Sequence, residues 1–197
     1  IYFVRPDNVI GRMPVLGGPI EDLTSVAPVL ERLKIDDEFV YWTEHNATIL
    51  RVPKTGGDAE IVKTISGNPV SIAAHDDELY IALPEQGAVV TVSKRTGAET
   101  QLAGQDRPVD LGVDAEHVYW INQGLPGGAT GELVRAPLRK LEDAEVIRSA
   151  LEDPLSLGVT ADAIVWATYD RAFRLPRGGG GPQMFEAAFG EPKGVTE

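Results

Sequence analysis

Val40-Tyr41-Trp42-Thr43-Glu44 opens a stretch that runs through Arg51-Val52-Pro53 to Gly56-Gly57, and the same order of features returns along the chain. Tyr2, Tyr41, Tyr80 and Tyr119 each follow an apolar residue and stand 39 residues apart. A fifth copy reads Ile164-Val165-Trp166, with Val165 in the tyrosine slot, 46 residues beyond Tyr119. An Arg-x-Pro follows in four copies, at Arg12, Arg51, Arg135 and Arg174; the third copy has Thr91-Val92-Ser93 instead. Glycine turns come next at Gly17-Gly18, Gly56-Gly57, Thr96-Gly97 and Gly178 to Gly181, while the fourth copy has Lys140-Leu141-Glu142. A proline then opens the next apolar stretch, at Pro28, Pro69, Pro108, Pro154 and Pro192. These stretches close on Ile35-Asp36, Ala74-His75, Val113-Asp114, Val159-Thr160 and Val195-Thr196.

A period of about 40 residues built from short strands and turns is the signature of a propeller blade, not of a helical array. Each period divides into four strands rich in Val, Ile, Thr and aromatics; in the second copy they are 40–43, 48–53, 60–65 and 69–75. The expected fold is an all-β propeller of four-stranded antiparallel blades, five in this chain, or six if the natural chain is longer. The whole of 1–197 is expected to form one domain. The stretch opened by the proline carries Ala73, Gly112, Gly158 and Gly194 in one equivalent slot, with Lys34 as the exception. Small residues suit an innermost strand, where backbones approach closely. The C-terminal strand Pro192 to Thr196 is expected to pair with the N-terminal strands and remove two open sheet edges. Two segments compete with this register. Val26, Val29, Leu30 and Leu33 have helical spacing, and Leu138 to Glu152 is rich in helix formers. The repeat instead asks for strands at 30–35 and 145–149, and strands are expected there.

Composition narrows the function. The 197 residues carry a net charge of −12 and no cysteine. That acidity argues against nucleic acid, and the missing thiols exclude disulfides and thiolate chemistry. No apolar run reaches the length of about 18 residues that a membrane helix needs. Gly-x-Ser-x-Gly, phosphate-loop and dinucleotide fingerprints are all missing. Asn46-Ala47-Thr48 is a glycosylation sequon, with meaning only in a eukaryotic secretory host.

Val40-Tyr41-Trp42-Thr43-Glu44 and Val118-Tyr119-Trp120-Ile121-Asn122 resemble YWTD-type propeller repeats, as in lipoprotein-receptor ectodomains. Arg51-Val52-Pro53 and its Gly-Gly turn also resemble bacterial extracytoplasmic propeller proteins. The acidic last position of the motif is kept as Glu44 and departs to Arg5, Pro84, Asn122 and Thr168 elsewhere. The resemblance implies a binding or scaffold module and a periplasmic or secreted location. Other propellers of similar repeat length are lyases or lactonases.

Residues repeated in every copy are read as architecture. The aromatics at Tyr2, Tyr41, Trp42, Tyr80, Tyr119, Trp120 and Trp166 suit packing between blades. The repeated arginines are expected to pair with blade-end carboxylates such as Asp36 and Asp114. Deviations from the repeat point to function. Loops from second to third strand, and from outer strand to next blade, share one end of each sheet. There they gather a ligand-binding rim of Arg5, Asn8, Glu44, His45, Asn46, Asn68, Arg107, Asn122, Gln123, Tyr169, Asp170 and Arg171. The fourth copy enlarges its loop to Asn122 through Gly131, which accounts for the 46-residue spacing. The expected function is non-enzymatic binding of a protein, peptide or glycan on this face, without a resident cofactor. The alternative is a metal-dependent lyase or lactonase-type hydrolase, in which Glu44, Asn68, Asn122 and Glu191 converge on a divalent cation such as Ca2+. His45, His75 and His117 occupy non-equivalent positions and do not form a metal triad by spacing.

Overall fold

The computed structural model describes residues 1–27, 30–44, 47–177 and 181–186. Its strands are antiparallel hairpins in chain order, grouped into sheets at the predicted period. Sheet 1 holds β1 (Tyr2–Val4), β2 (Val9–Arg12) and β3 (Glu21–Ser25). Sheet 2 holds β4 (Leu30–Ile35), β5 (Phe39–Glu44), β6 (Thr48–Pro53) and β7 (Glu60–Thr64). Sheet 3 holds β8 (Ser71–His75), β9 (Glu78–Leu83), β10 (Ala88–Ser93) and β11 (Glu99–Ala103). Sheet 4 holds β12 (Pro108–Val113), β13 (His117–Asn122), β14 (Gly131–Pro137) and β15 (Glu145–Leu151). Sheet 5 holds β16 (Ser156–Val159), β17 (Ala163–Ala167), β18 (Arg171–Pro176) and β19 (Gln183–Glu186).

Both contested segments are strands. β4 covers 30–35 as the repeat required. In the fourth copy only Leu141–Asp143 coils, as a single 3-10 turn before β15. Pairing of Arg135 with Glu145 across β14 and β15 commits the segment to the sheet. Sheet 1 has three strands among the described residues. The strand expected at 192–196 to complete it lies outside them.

The chain divides into two compact units, Ile1–Gln105 with sheets 1 to 3 and Asp106–Glu197 with sheets 4 and 5. In each unit the core lies between neighbouring sheets. Successive strand residues point to opposite faces, so the Tyr-Trp pair of β5 serves two interfaces. Trp42 packs with Ile10, Leu23, Val40 and Val52 toward sheet 1. Tyr41 packs with Ile49, Ile72, Leu79 and Ile81 toward sheet 3. In the second unit Tyr119, Ile121, Leu133, Leu157, Ile164 and Trp166 form the layer between sheets 4 and 5. Both β4 and β8, and likewise β12 and β16, lie against each other, as expected of the first strands of neighbouring blades. A Cβ on Gly112 would stand 2.8 Å from a methyl of Val159 on β16, which explains the small residue there.

Turn chemistry sets the strand ends. Asp36 Oδ1 accepts the amides of Glu38 and Phe39 at 2.9 and 2.8 Å, shaping the β4–β5 turn. Asp114 does the same for Glu116 and His117, both at 2.7 Å. Thr160 takes this role in sheet 5, accepting the Ala163 amide at 3.1 Å. Side-chain capping of this kind is why Asp or Thr follows the last apolar residue of the first strand in sheets 2, 4 and 5, whereas sheet 3 has His75 there.

The expected pairing of the repeated arginines with Asp36 and Asp114 is corrected. Arg12, Arg51 and Arg135 face Glu21, Glu60 and Glu145 on the neighbouring outer strand, at 2.6, 3.0 and 2.6 Å. They are direct cross-strand partners, so the nearest acid wins. Arg174 faces a neutral Gln183 and turns to Asp162 at 2.5 Å. Asp36 and Asp114 take cations from the next sheet instead: Lys94 at 2.6 Å and Arg177 at 2.7 Å.

Candidate functional site

In every sheet the loop from second to third strand and the exit of the outer strand share one end, because consecutive strands run antiparallel. The structure spreads the predicted rim residues over both units at these ends. In the first unit Arg5 is held by Asp7 and Asp22 at 2.5 and 2.6 Å. Asn8 is a turn residue with φ 61, its amide donating to the Arg5 carbonyl at 3.0 Å. Glu44 ends β5 and accepts a long 3.5 Å hydrogen bond from the Trp42 indole. Asn68 is half-buried in the loop before β8. His45 and Asn46 lie outside the described residues.

The second unit is more elaborate. Arg107, with φ 57, braces the enlarged loop through its carbonyl, which accepts the Gln123 amide at 2.9 Å. Asn122 is buried and donates to Glu132 at 3.4 Å. Arg107, Asn122 and Gln123 therefore build the loop. The Leu125 amide donates to Thr130 Oγ1 at 2.8 Å, and the Gly127 amide to Asp153 Oδ1 at 3.0 Å. Gly124 turns the chain with φ 72, where a Cβ would collide with Thr130. The Leu155 amide donates to the Ala167 carbonyl at 2.8 Å, tying the β15–β16 loop to sheet 5.

These ties hold three apolar or aromatic side chains in solvent at one end of sheets 4 and 5. Leu125 is 65% exposed, Leu155 40% and Tyr169 90%. Tyr169 was among the predicted rim residues; the two leucines were not. Their signal was present, since each follows a loop glycine or proline where a polar residue would be ordinary. Asp170 accepts from Thr168 Oγ1 at 3.1 Å and lies 3.6 Å from Arg171. Arg171 also lies 3.6 Å from Glu152.

Arg171 and Glu152 mark one end of a cleft of about 570 Å³ between β15 and sheet 5. Ile147, Leu151, Trp166, Phe173 and Met184 line it, with Arg148 on the β15 side. Trp166 and Phe173 stack with centroids 5.2 Å apart and planes 10° from parallel. Its volume falls in the usual range for ligand sites. Among the described residues no three His, Asp or Glu side chains gather closely enough to hold a metal ion. His75 and His117 sit at the other end of their sheets, 3.6 Å from Asp76 and 4.0 Å from Asp114. Glu191 of the proposed cation set lies outside the described residues.

No family model matches the chain, and no curated protein matches it. Solved structures do. A chain of a nidogen/laminin complex superposes with TM-score 0.73 at 15% identity, covering 94% of this chain and 75% of that one. A putative TolB from Agrobacterium tumefaciens gives 0.67 at 14% identity, covering 90% and 73%. YCF48 bound to D1 peptide gives 0.64 at 12% identity, covering 93% and 62%. PorZ, a bacterial surface component of the type-IX secretion system of Porphyromonas gingivalis, gives 0.64 at 16% identity, covering 95% and 25%. Together with the antiparallel sheets, these likenesses establish the β-propeller fold.

Proposed function

We propose that this β-propeller is a non-enzymatic binding module that engages a protein or peptide through the loop end of sheets 4 and 5. The observation that carries the reading is the exposure of Leu125, Leu155 and Tyr169 on loops braced by Asp153, Thr130 and Ala167. Apolar groups on braced loops, rimmed by Glu152, Asp170 and Arg171, have the make-up of a recognition surface. Two structural neighbours are complexes, one with a protein and one with a peptide, which supports the same class of ligand. The likeness to a bacterial surface component supports an extracytoplasmic setting. Among the described residues no helix is long and apolar enough to cross a membrane.

Selection of a displayed peptide library on the immobilised chain tests this. Enriched peptides are expected to lose at least about tenfold in affinity on Tyr169→Ala or Leu125→Ser. Equal binding to both variants, or a library that yields no enrichment, overturns the reading.

A further inference from the structure

The junction of sheets 2 and 3 and that of sheets 4 and 5 offer an internal comparison. On β7, Lys63 stands opposite Ile49, three residues beyond Glu60 and just past a bulge. On β15, Arg148 stands opposite Leu133, three residues beyond Glu145 and past the same bulge. The two cations are thus equivalent in register. Lys63 bridges to the next sheet, donating to the Gly97 carbonyl at 3.1 Å and lying 4.0 Å from Glu99. Arg148 lines the cleft, where Pro182 holds the register of Glu99 and supplies no acid; the turn equivalent to Gly97 falls at 178–180, outside the described residues. A second substitution opens the same junction. β10 begins with Ala88, which is fully buried; β18 begins with Arg171, which lines the cleft. Arg171 approaches Glu152 and Asp170 only to 3.6 Å, whereas the repeated arginines reach their acids at 2.5 to 3.0 Å. The departures from the repeat therefore put two cations, only loosely matched by acids, beside Phe173 and Met184, in a chain of net charge −12.

We propose that the cleft between β15 and sheet 5 binds an extended acidic peptide segment, with its carboxylates on Arg148 and Arg171 and an apolar side chain over Phe173 and Met184. β15 is the last strand of its sheet, so its outer edge offers main-chain groups to such a segment. Overall negative charge repels acidic ligands elsewhere on the surface, so binding there demands a local positive site. The proposal rests on reading residues 106–197 as a ligand-binding unit and names the chemistry that unit selects.

The test is fluorescence anisotropy of the full chain with a labelled, amidated peptide of alternating Glu and Leu, beside its Lys–Leu counterpart. Saturable binding of the acidic peptide alone is expected, weakened by added salt. Arg148→Ala and Arg171→Ala should each cost about tenfold, and Arg148→Glu more. Circular dichroism of each variant checks that the sheets persist. Tyr169→Ala should leave this binding intact, which separates the cleft from the loop end. No saturable binding, equal binding of the Lys–Leu peptide, or well-folded arginine variants that bind as before would each overturn the proposal. So would a dimer in sedimentation that Arg148→Glu dissolves, since the cleft would then belong to a second copy.

Discussion

Lys94, just past the end of β10, places its Nζ 2.6 Å from Asp36 Oδ2 in the neighbouring sheet, 58 residues away in the chain. The same carboxylate oxygen accepts the Tyr41 hydroxyl at 2.8 Å, and Lys94 lies 5.1 Å from the centre of that ring. The second unit repeats the device. Arg177 lies 2.7 Å from Asp114, Tyr119 donates to Asp114 at 2.9 Å, and the guanidinium stands 5.5 Å from the ring centre. Lys54 also stands 5.6 Å from the Tyr2 ring. A carboxylate, a tyrosine and a cation of the next sheet thus latch neighbouring sheets inside each unit.

Lys94 is almost fully buried and Asp36 largely so, so deleting one partner strands the other. Lys94→Met should lower unfolding free energy by about 2–4 kcal/mol in urea titration at neutral pH. Lys94→Met combined with Asp36→Asn should recover part of that loss. An unchanged urea midpoint for the single variant would show that the latch is idle.

The latch also predicts acid sensitivity. Burial alone would raise the Asp36 pKa, but Lys94, the Phe39 amide, the Tyr41 hydroxyl and the Glu38 amide together outweigh it and hold the group at about 2, below the ordinary aspartate value of 3.8. A folded pKa below the unfolded one stabilises the fold above the unfolded value. That contribution, about 2 kcal/mol, fades as pH falls from about 4 through 2. Asp36→Asn should therefore be less stable at pH 7 and show a shallower loss of stability below pH 4. Parallel acid-unfolding curves for the two proteins would contradict the assignment.

The cross-strand arginines should matter less. Arg135 and Glu145 are both exposed, and such pairs contribute about 0–1 kcal/mol. Arg51 additionally stands 4.5 Å from the Phe39 ring centre, adding a cation–π contact. Arg51→Ala should cost more than Arg135→Ala. Thermal melts at low and high salt would separate the parts, since only the ion pair is screened.

Close approach of the first strands gives a steric prediction. Gly112→Ala drives a Cβ toward the Val159 methyl and should cost about 1–3 kcal/mol. Val159→Ala should cost less in the Gly112→Ala background than in the parent protein, because it clears the clash. Additive losses in urea denaturation would mean that the two strands are not in contact there.

Strand existence, order and turn positions were legible in the residues. Tyr-Trp, Arg-x-Pro and the closing Asp or Thr act within one hairpin, over distances that a local pattern can encode. The Arg–Glu pairs were equally legible, since Arg12, Arg51 and Arg135 precede Glu21, Glu60 and Glu145 by nine or ten residues. They were misread because Asp36 and Asp114 looked like the available acids. Of the predicted rim, Tyr169 is exposed on its loop and Arg171 lines the cleft, while Arg107, Asn122 and Gln123 make hydrogen bonds that brace the enlarged loop.

Local chemistry by itself determined that this chain forms antiparallel hairpins at a fixed period, because alternating burial and turn residues act between neighbours. Only the packing of one sheet on the next decided which cation meets Asp36, and where the cleft beside Arg148 opens. Those contacts join residues tens of positions apart, through faces whose partners no single repeat contains.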